Sequence, residues 1–256
     1  MKIAALQMQS VVGDFDANLA QIEKAAIDAA SAGARLLIAP ELAIVGYGAG
    51  EAFSKLSSPA GGDAEAGLSA IAARNHIAIV AGFAERDGDA IYNSALFVDD
   101  MGKVSVYRKS HLYGDYEKRW FHPETPKTVL VEIDGIRFGM LICYDVEFPE
   151  NVRRLALAGA DLVVVPTALP KGTSGDFIAS TMIRTRAFEN QVFLAYVNHH
   201  GSDGAFDYAG QSAIAAPDGA FLAQAPGSGD ALLFGEIDPQ AYAASRADNS
   251  YLSDLG

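Results

Sequence analysis

The chain has 256 residues, half of them hydrophobic and a fifth charged, which excludes a disordered or low-complexity scaffold. Thirty-two Asp and Glu against 19 Lys and Arg leave a net charge of −13. Such a surface repels phosphate backbones and anionic membranes, so neither nucleic acid nor membrane is an expected partner. No apolar run reaches the roughly 18 residues of a membrane span. One cysteine, Cys143, excludes an internal disulfide framework and points to a reducing, cytoplasmic compartment.

The start, Met1 to Gln9, is too short and too polar for a signal peptide and reads as a strand over Ile3–Gln9. Asp16–Ser31 follows as a helix, with Leu19, Ile22, Ala26 and Ala29 recurring at helical steps and Gly33 placed to stop it. A strand over Arg35–Ala39, a helix over Ala64–Asn75, and strands over Ala78–Phe83, Ile91–Val98 and Val104–Arg108 come next. Then come strands at Thr128–Glu132 and Arg137–Ile142, a helix at Pro149–Ala158 and a strand at Leu162–Val165. A helix over Phe177–Asn190 and strands over Val192–Asn198, Gln211–Ala216 and Leu232–Ile237 complete the pattern.

This alternation predicts an α/β protein with buried sheets. Asp87-Gly88, Asp134-Gly135 and Asp218-Gly219 lie between strand runs and read as hairpin turns. With no linker, repeat or low-complexity tract, residues 1–256 read as one domain, with two sheets sharing a core. The segments Gly46–Gly62 and Ser110–Lys127 read as long loops, and long loops in a compact domain form pocket walls or lids.

Three residues at strand ends could carry chemistry. Cys143 closes the run Phe138-Gly139-Met140-Leu141-Ile142 just before a helix starts near Pro149. It reads either as a small buried hydrophobe or as a nucleophile exposed on a strand-to-helix turn. Glu41 follows Leu36-Leu37-Ile38-Ala39-Pro40 and is either a loop glutamate or a carboxylate held by a partner. Lys109 ends a strand and is either edge protection or a functional cation. A base, a cation and a thiol together are the parts of an acyl-transfer site, because a thiol near neutral pH needs a neighbour to ionise it.

The motifs then carry a resemblance. Pro40-Glu41 with Gly46-Tyr47, Tyr107-Arg108-Lys109-Ser110-His111-Leu112 and Leu141-Ile142-Cys143-Tyr144-Asp145-Val146-Glu147-Phe148-Pro149-Glu150 resemble the nitrilase superfamily of carbon–nitrogen hydrolases, in the family's order. Val165-Pro166-Thr167-Ala168, Arg184-Thr185-Arg186-Ala187 and Asn198 also fit.

The resemblance implies a four-layer αββα sandwich and a Glu-Lys-Cys triad at Glu41, Lys109 and Cys143. It implies a second acidic residue in the loop after the lysine, at Glu117, with Asp115 the alternative. It further implies amide hydrolysis through a thioester, an oxyanion held by Lys109 and the Tyr144 N–H, and no metal or organic cofactor. Tyr144-Asp145 stands where nitrilases have Trp-Glu, and the sequence looks closest to small aliphatic amidases, including the 5-aminopentanamidase type. Tyr47, Tyr113, Trp120, Phe121, Ala168 and Leu169 are the expected walls of a pocket for a small-molecule amide. For an amino-amide substrate that pocket should contain a carboxylate, which the sequence alone does not single out.

A face-to-face homodimer is expected. The family's tail beyond the Tyr-Leu-x-Asp element does not follow Tyr251-Leu252-Ser253-Asp254, so tail exchange is not part of that expectation. The alternatives are an N-carbamoyl amine amidohydrolase, a nitrilase, or an α/β module that binds a small ligand with Cys143 structural. A Cys-His site lacks a papain-type signature, adjacent His199 and His200 face opposite sides of a strand, and GxGxxG, GxxxxGK and GxSxG are absent.

Overall fold

Successive residues of the first strand enter two different cores. Ile3 and Ala5 pack into one apolar cluster, while Ala4 and Leu6 pack into another. Leu36 and Ile38 likewise oppose Leu37, and Ala95 and Phe97 oppose Leu96 and Val98. Apolar residues on both faces at a period of two describe strands covered on both sides.

The structure is a computed structural model that describes residues Met1–Leu255. Its first strands are β1 (Lys2–Gln7), β2 (Leu36–Ile38), β3 (Ser58–Pro59), β4 (Ala78–Asp87), β5 (Ala90–Val98), β6 (Val104–Arg108), β7 (Leu130–Ile133) and β8 (Ile136–Met140). These are followed by β9 (Leu162–Thr167), β10 (Phe193–Asn198), β11 (His200–Ser202), β12 (Asp207–Ala209), β13 (Ala213–Ala215), β14 (Phe221–Gln224) and β15 (Ala231–Glu236). One sheet runs β15-β1-β2-β4-β5-β6, with β3 beside β4. The other runs β14-β13-β10-β9-β8-β7, and β11 and β12 form a separate hairpin.

Each large sheet has three parallel strands at its centre, β1-β2-β4 and β8-β9-β10. Helices α1 (Phe15–Ser31) and, after the short α2 (Phe53–Leu56), α3 (Asp63–Asn75) link the first set and cover its outer face. After α4 (Gly114–Trp120), helix α5 (Pro149–Leu157) links β8 to β9. The helical stretch from α6 (Thr173–Phe177) through a π-turn at Ile178–Met182 to α7 (Ile183–Asn190) links β9 to β10. A last helix, α8 (Ala243–Asp248), lies near the end of the chain. The two sheets pack on each other, with Phe97 of one and Phe138 of the other 5.6 Å apart between ring centroids. The layers are therefore α, β, β, α. Among the described residues no helix is long and apolar enough to cross a membrane.

Departures from the sequence expectations have local causes. The expected loop Ser110–Lys127 contains α4, whose one buried residue is the acidic Glu117, so no apolar stripe announces the helix. Strand β14 was not expected because its residues are only half-covered and its partner β13 is three residues long. The loop Gly46–Gly62 holds a 3-10 segment at Tyr47–Ala52 as well as α2.

Candidate active site

The parallel strands of both sheets end on the same side of the molecule, the place where α/β proteins gather functional side chains. Met8, just past β1, bridges His199, just past β10. Glu41, Lys109 and Cys143 lie just past β2, β6 and β8.

Glu41 is fully buried and its backbone is tightly held. Ala39 N donates to Val80 O at 2.8 Å, Gly82 N donates to Pro40 O at 3.0 Å, and Leu42 adopts a φ of 51°. A Cβ on Gly82 would collide with the backbone of Glu41 and Leu42, so glycine is required for this close approach. His199 is buried and its Nε2 lies 2.7 Å from Glu41 O. Burial pushes this imidazole down to about 4, so it is neutral and donates to that carbonyl.

Lys109 is held by its backbone N–H, which donates to Asn93 O at 2.8 Å. The Asn93 side-chain amide donates to Glu41 Oε1 at 2.7 Å. Thus one residue of β5 aligns both. Lys109 Nζ donates to Glu41 Oε1 and to Glu117 Oε1, each at 2.6 Å. Glu117 Oε1 also accepts from the Tyr47 hydroxyl at 2.9 Å, and Oε2 accepts from Tyr113 N at 2.9 Å. Asp115, the alternative second acid, is exposed on the other side of α4.

Cys143 has a φ of 43°, a left-handed conformation that costs a residue with a Cβ about 1–3 kcal/mol. It opens a helical turn, Cys143–Glu147, with Pro149 then starting α5. Asp145 ties this turn to the lysine loop. Its Oδ2 accepts from the Tyr107 hydroxyl at 2.9 Å, and its Oδ1 from His111 N at 2.9 Å and Ser110 N at 3.2 Å. The Ala168 N–H is directed at the Cys143 sulfur.

Charge in this buried cluster is balanced unevenly. Two carboxylates outweigh the cost of burying the Lys109 amine and hold its pKa well above the usual value, so it stays an ammonium. Burial raises Glu117 against the pull of Lys109. Burial and the nearby Glu41 push the Cys143 thiol well up, against the opposing effect of Lys109, so the resting sulfur is protonated. Glu41 Oε2 has no hydrogen-bond partner among the described residues.

A cavity of about 500 Å³ opens onto Cys143, walled by Tyr113, Tyr144, Glu147, Leu169 and Lys171. Of the expected walls, Tyr113 and Leu169 border it. Tyr47 instead sits behind Glu117 as a hydrogen-bond donor, and Ala168 presents its backbone N–H to the sulfur. Trp120 packs against the outer core under the Arg119 guanidinium, 4.9 Å from its ring, and Phe121 packs on Phe53. Among the described residues no three His, Cys, Asp or Glu side chains converge as metal ligands.

The neighbours of the cluster and the cavity to which sequence reasoning assigned no role are Asn93, Asp145 and Glu147. Asn93 and Asp145 are polar residues inside or beside apolar runs, and that was their signal, because a buried polar side chain requires a partner.

The family model described as carbon-nitrogen hydrolase matches residues 2–247. The chain belongs to the carbon–nitrogen hydrolases. A Pseudomonas protegens family member described as the hydrolase in the pqqF 5' region is 44% identical, over 99% of this chain and 88% of its own length. An (R)-stereoselective amidase of Pseudomonas sp is 33% identical, over 99% of this chain and 91% of its own. Among solved carbon–nitrogen hydrolases, the NitN amidase of Nesterenkonia sp. AN1 superposes with a TM-score of 0.88 at 34% identity, covering 99% of this chain and 96% of that one. In a variant of that amidase the acetamide moiety of fluoroacetamide is covalently added at the active-site cysteine.

Proposed function

We propose that this carbon–nitrogen hydrolase cleaves small aliphatic amides to carboxylate and ammonia, with Cys143 as nucleophile. The observation that carries this reading is a buried Glu41–Lys109–Glu117 cluster whose charges act on a strained cysteine that lines a cavity of about 500 Å³. Covalent addition of the acetamide moiety of fluoroacetamide at the cysteine of a Nesterenkonia amidase variant supports the nucleophile part of it.

In the proposed cycle, Glu41 Oε2 takes the Sγ proton as the sulfur attacks the amide carbon, and the C–S bond forms. General-base help of this kind contributes about 10²–10⁴-fold. The carbonyl electron pair moves to oxygen, where the Lys109 ammonium and the Tyr144 N–H stabilise the negative charge. Glu41 returns its proton to the nitrogen, the C–N bond breaks, and ammonia leaves. Water then attacks the thioester while Glu41 accepts a proton, the C–S bond breaks, and the thiol is restored. Glu117 holds Lys109 in place and shares its charge. No cofactor enters the cycle.

The test is ammonia release from a panel of acetamide, butyramide, pentanamide and 5-aminopentanamide by wild type and Cys143→Ala. The variant should lose at least about 10³-fold of the rate. Turnover that survives in Cys143→Ala removes the proposed nucleophile. Carbon dioxide released with ammonia from N-carbamoyl amines, or turnover of nitriles alone, moves the enzyme to another branch of the family. No turnover, together with slow electrophile labelling of Cys143, favours a ligand-binding module.

A further inference from the structure

The cavity contains one acid that the proposed cycle does not use. Among its lining residues Glu147 is the only acid and Lys171 the only base. Glu147 is the fourth residue after Cys143, on the same helical turn. Its backbone is fixed, since Arg186 Nη2 donates to Glu147 O at 2.7 Å and Arg186 Nε donates to Val146 O at 2.9 Å. The Arg186 charge is then taken up by Glu189 Oε1 at 2.9 Å. Among the described residues nothing hydrogen-bonds the Glu147 carboxylate and no cation lies within 4.0 Å of it. The side chain is half-buried, so an anion has been partly taken out of water and given no partner.

The other charges around it are committed elsewhere or do not pair with it. Lys109 is bound to Glu41 and Glu117. Lys171 is exposed, and among the described residues it makes no ion pair with Glu147. Tyr113 and Tyr144 stand edge to face beside the cavity, 5.2 Å apart, and aromatic faces favour cations.

From this juxtaposition we infer that Glu147 selects the substrate: it pairs with a protonated amine carried on the aliphatic tail of the amide whose carbonyl is presented to Cys143. This rests on the amide-hydrolase reading and narrows it to amino amides. With C–C bonds of about 1.5 Å, a four-methylene spacer carries the amine about 6 Å from the carbonyl carbon. The ammonium of a short ω-amino amide can therefore lie well away from the carbonyl while both stay in the cavity that Cys143 and Glu147 line together.

The experiment compares kcat/KM for 5-aminopentanamide and its neutral analogue pentanamide. Wild type should prefer the amine. Glu147→Gln should reduce the preference ratio by about 10- to 100-fold, the usual worth of a hydrogen bond to a charged group. Glu147→Arg should turn preference toward glutaramate, a carboxylate-bearing amide. An unchanged ratio in Glu147→Gln, or a wild type that favours pentanamide, overturns the inference while leaving amide hydrolysis intact. Ammonia from neither amide removes both.

Two measurements on wild type do not depend on how any variant folds. Pentylamine should inhibit competitively at concentrations where pentanol does not, and equal inhibition counts against the inference. The preference for the amine should also vanish as pH falls. Burial raises the Glu147 pKa, against the weaker opposing pull of Lys109 and Arg186, so its charge is lost at a higher pH than that of a free carboxylate. A preference ratio constant across that range also overturns it.

Discussion

Cys143 separates two regions built on opposite plans. Behind it, Glu41, Lys109 and Glu117 are dry, their charges are paired at 2.6 Å, and neighbouring strands pin the backbone at Glu41 and Lys109. In front of it, Tyr113 and Lys171 are exposed and the Glu147 carboxylate has no partner among the described residues. Groups that must hold one geometry during a reaction gain from burial, because a low dielectric strengthens each interaction and removes competing water. Groups that meet different substrates gain from access. Changes behind the sulfur should therefore alter rate and stability together, and changes in front should alter selectivity alone.

Removing the central cation is the most severe way to break that contrast. Lys109→Met leaves two buried carboxylates without their counter-ion, and such loss costs about 3–5 kcal/mol. Denaturant unfolding should show that destabilisation, and ammonia release should fall by about 10³-fold or more. A stable, active Lys109→Met protein would mean that the buried cluster is dispensable.

His199 tests the same region through pH. Its imidazole titrates at about 4 in the fold and at 6.5 when unfolded, so the unfolded chain binds more protons between those values. The native state is then fully favoured above pH 6.5 and loses roughly 3 kcal/mol as pH falls to about 4. The unfolding free energy of wild type should be about 2–3 kcal/mol lower at pH 4.5 than at pH 7 from this group, and His199→Gln should show a shallower dependence. Equal slopes for the two proteins would remove His199 as the cause.

Gly82→Ala sharpens the comparison without changing any charge. The added methyl meets the Glu41 backbone and displaces the carboxylate. A misplacement near 1 Å costs about 10²-fold in rate. Steady-state kinetics should show that loss in kcat, and an unaltered kcat would show that Glu41 tolerates movement. Tyr113→Ala, on the open side, should change KM by only a few-fold, with kcat held within about twofold. A collapse of kcat would tie the Tyr113 ring itself to the buried cluster, since alanine keeps the backbone N–H bond to Glu117.

Much of this molecule is written in local pattern. Strands that enter the core are rich in apolar residues, so β1, β2, β5, β6, β8, β9 and β10 were readable within a residue or two, and with them the strand ends bearing Glu41, Lys109 and Cys143. The glycines at the hairpin turns were readable because few other residues adopt a positive φ. The rest depended on chain segments far apart in sequence. Glu117 rather than Asp115 faces Lys109 because of how α4 is rotated, and nothing in seven mixed residues specifies that rotation. Tyr47 meets Glu117 across 70 positions, and Asn93 meets Glu41 across 52. Glu147 was one of 32 acidic residues until folding placed it, unpaired, beside the thiol. Backbone preference and hydrophobic period act over a few residues and are carried by the sequence directly, whereas the pairing of buried charges depends on which loops meet over the sheet ends, and only packing decides that.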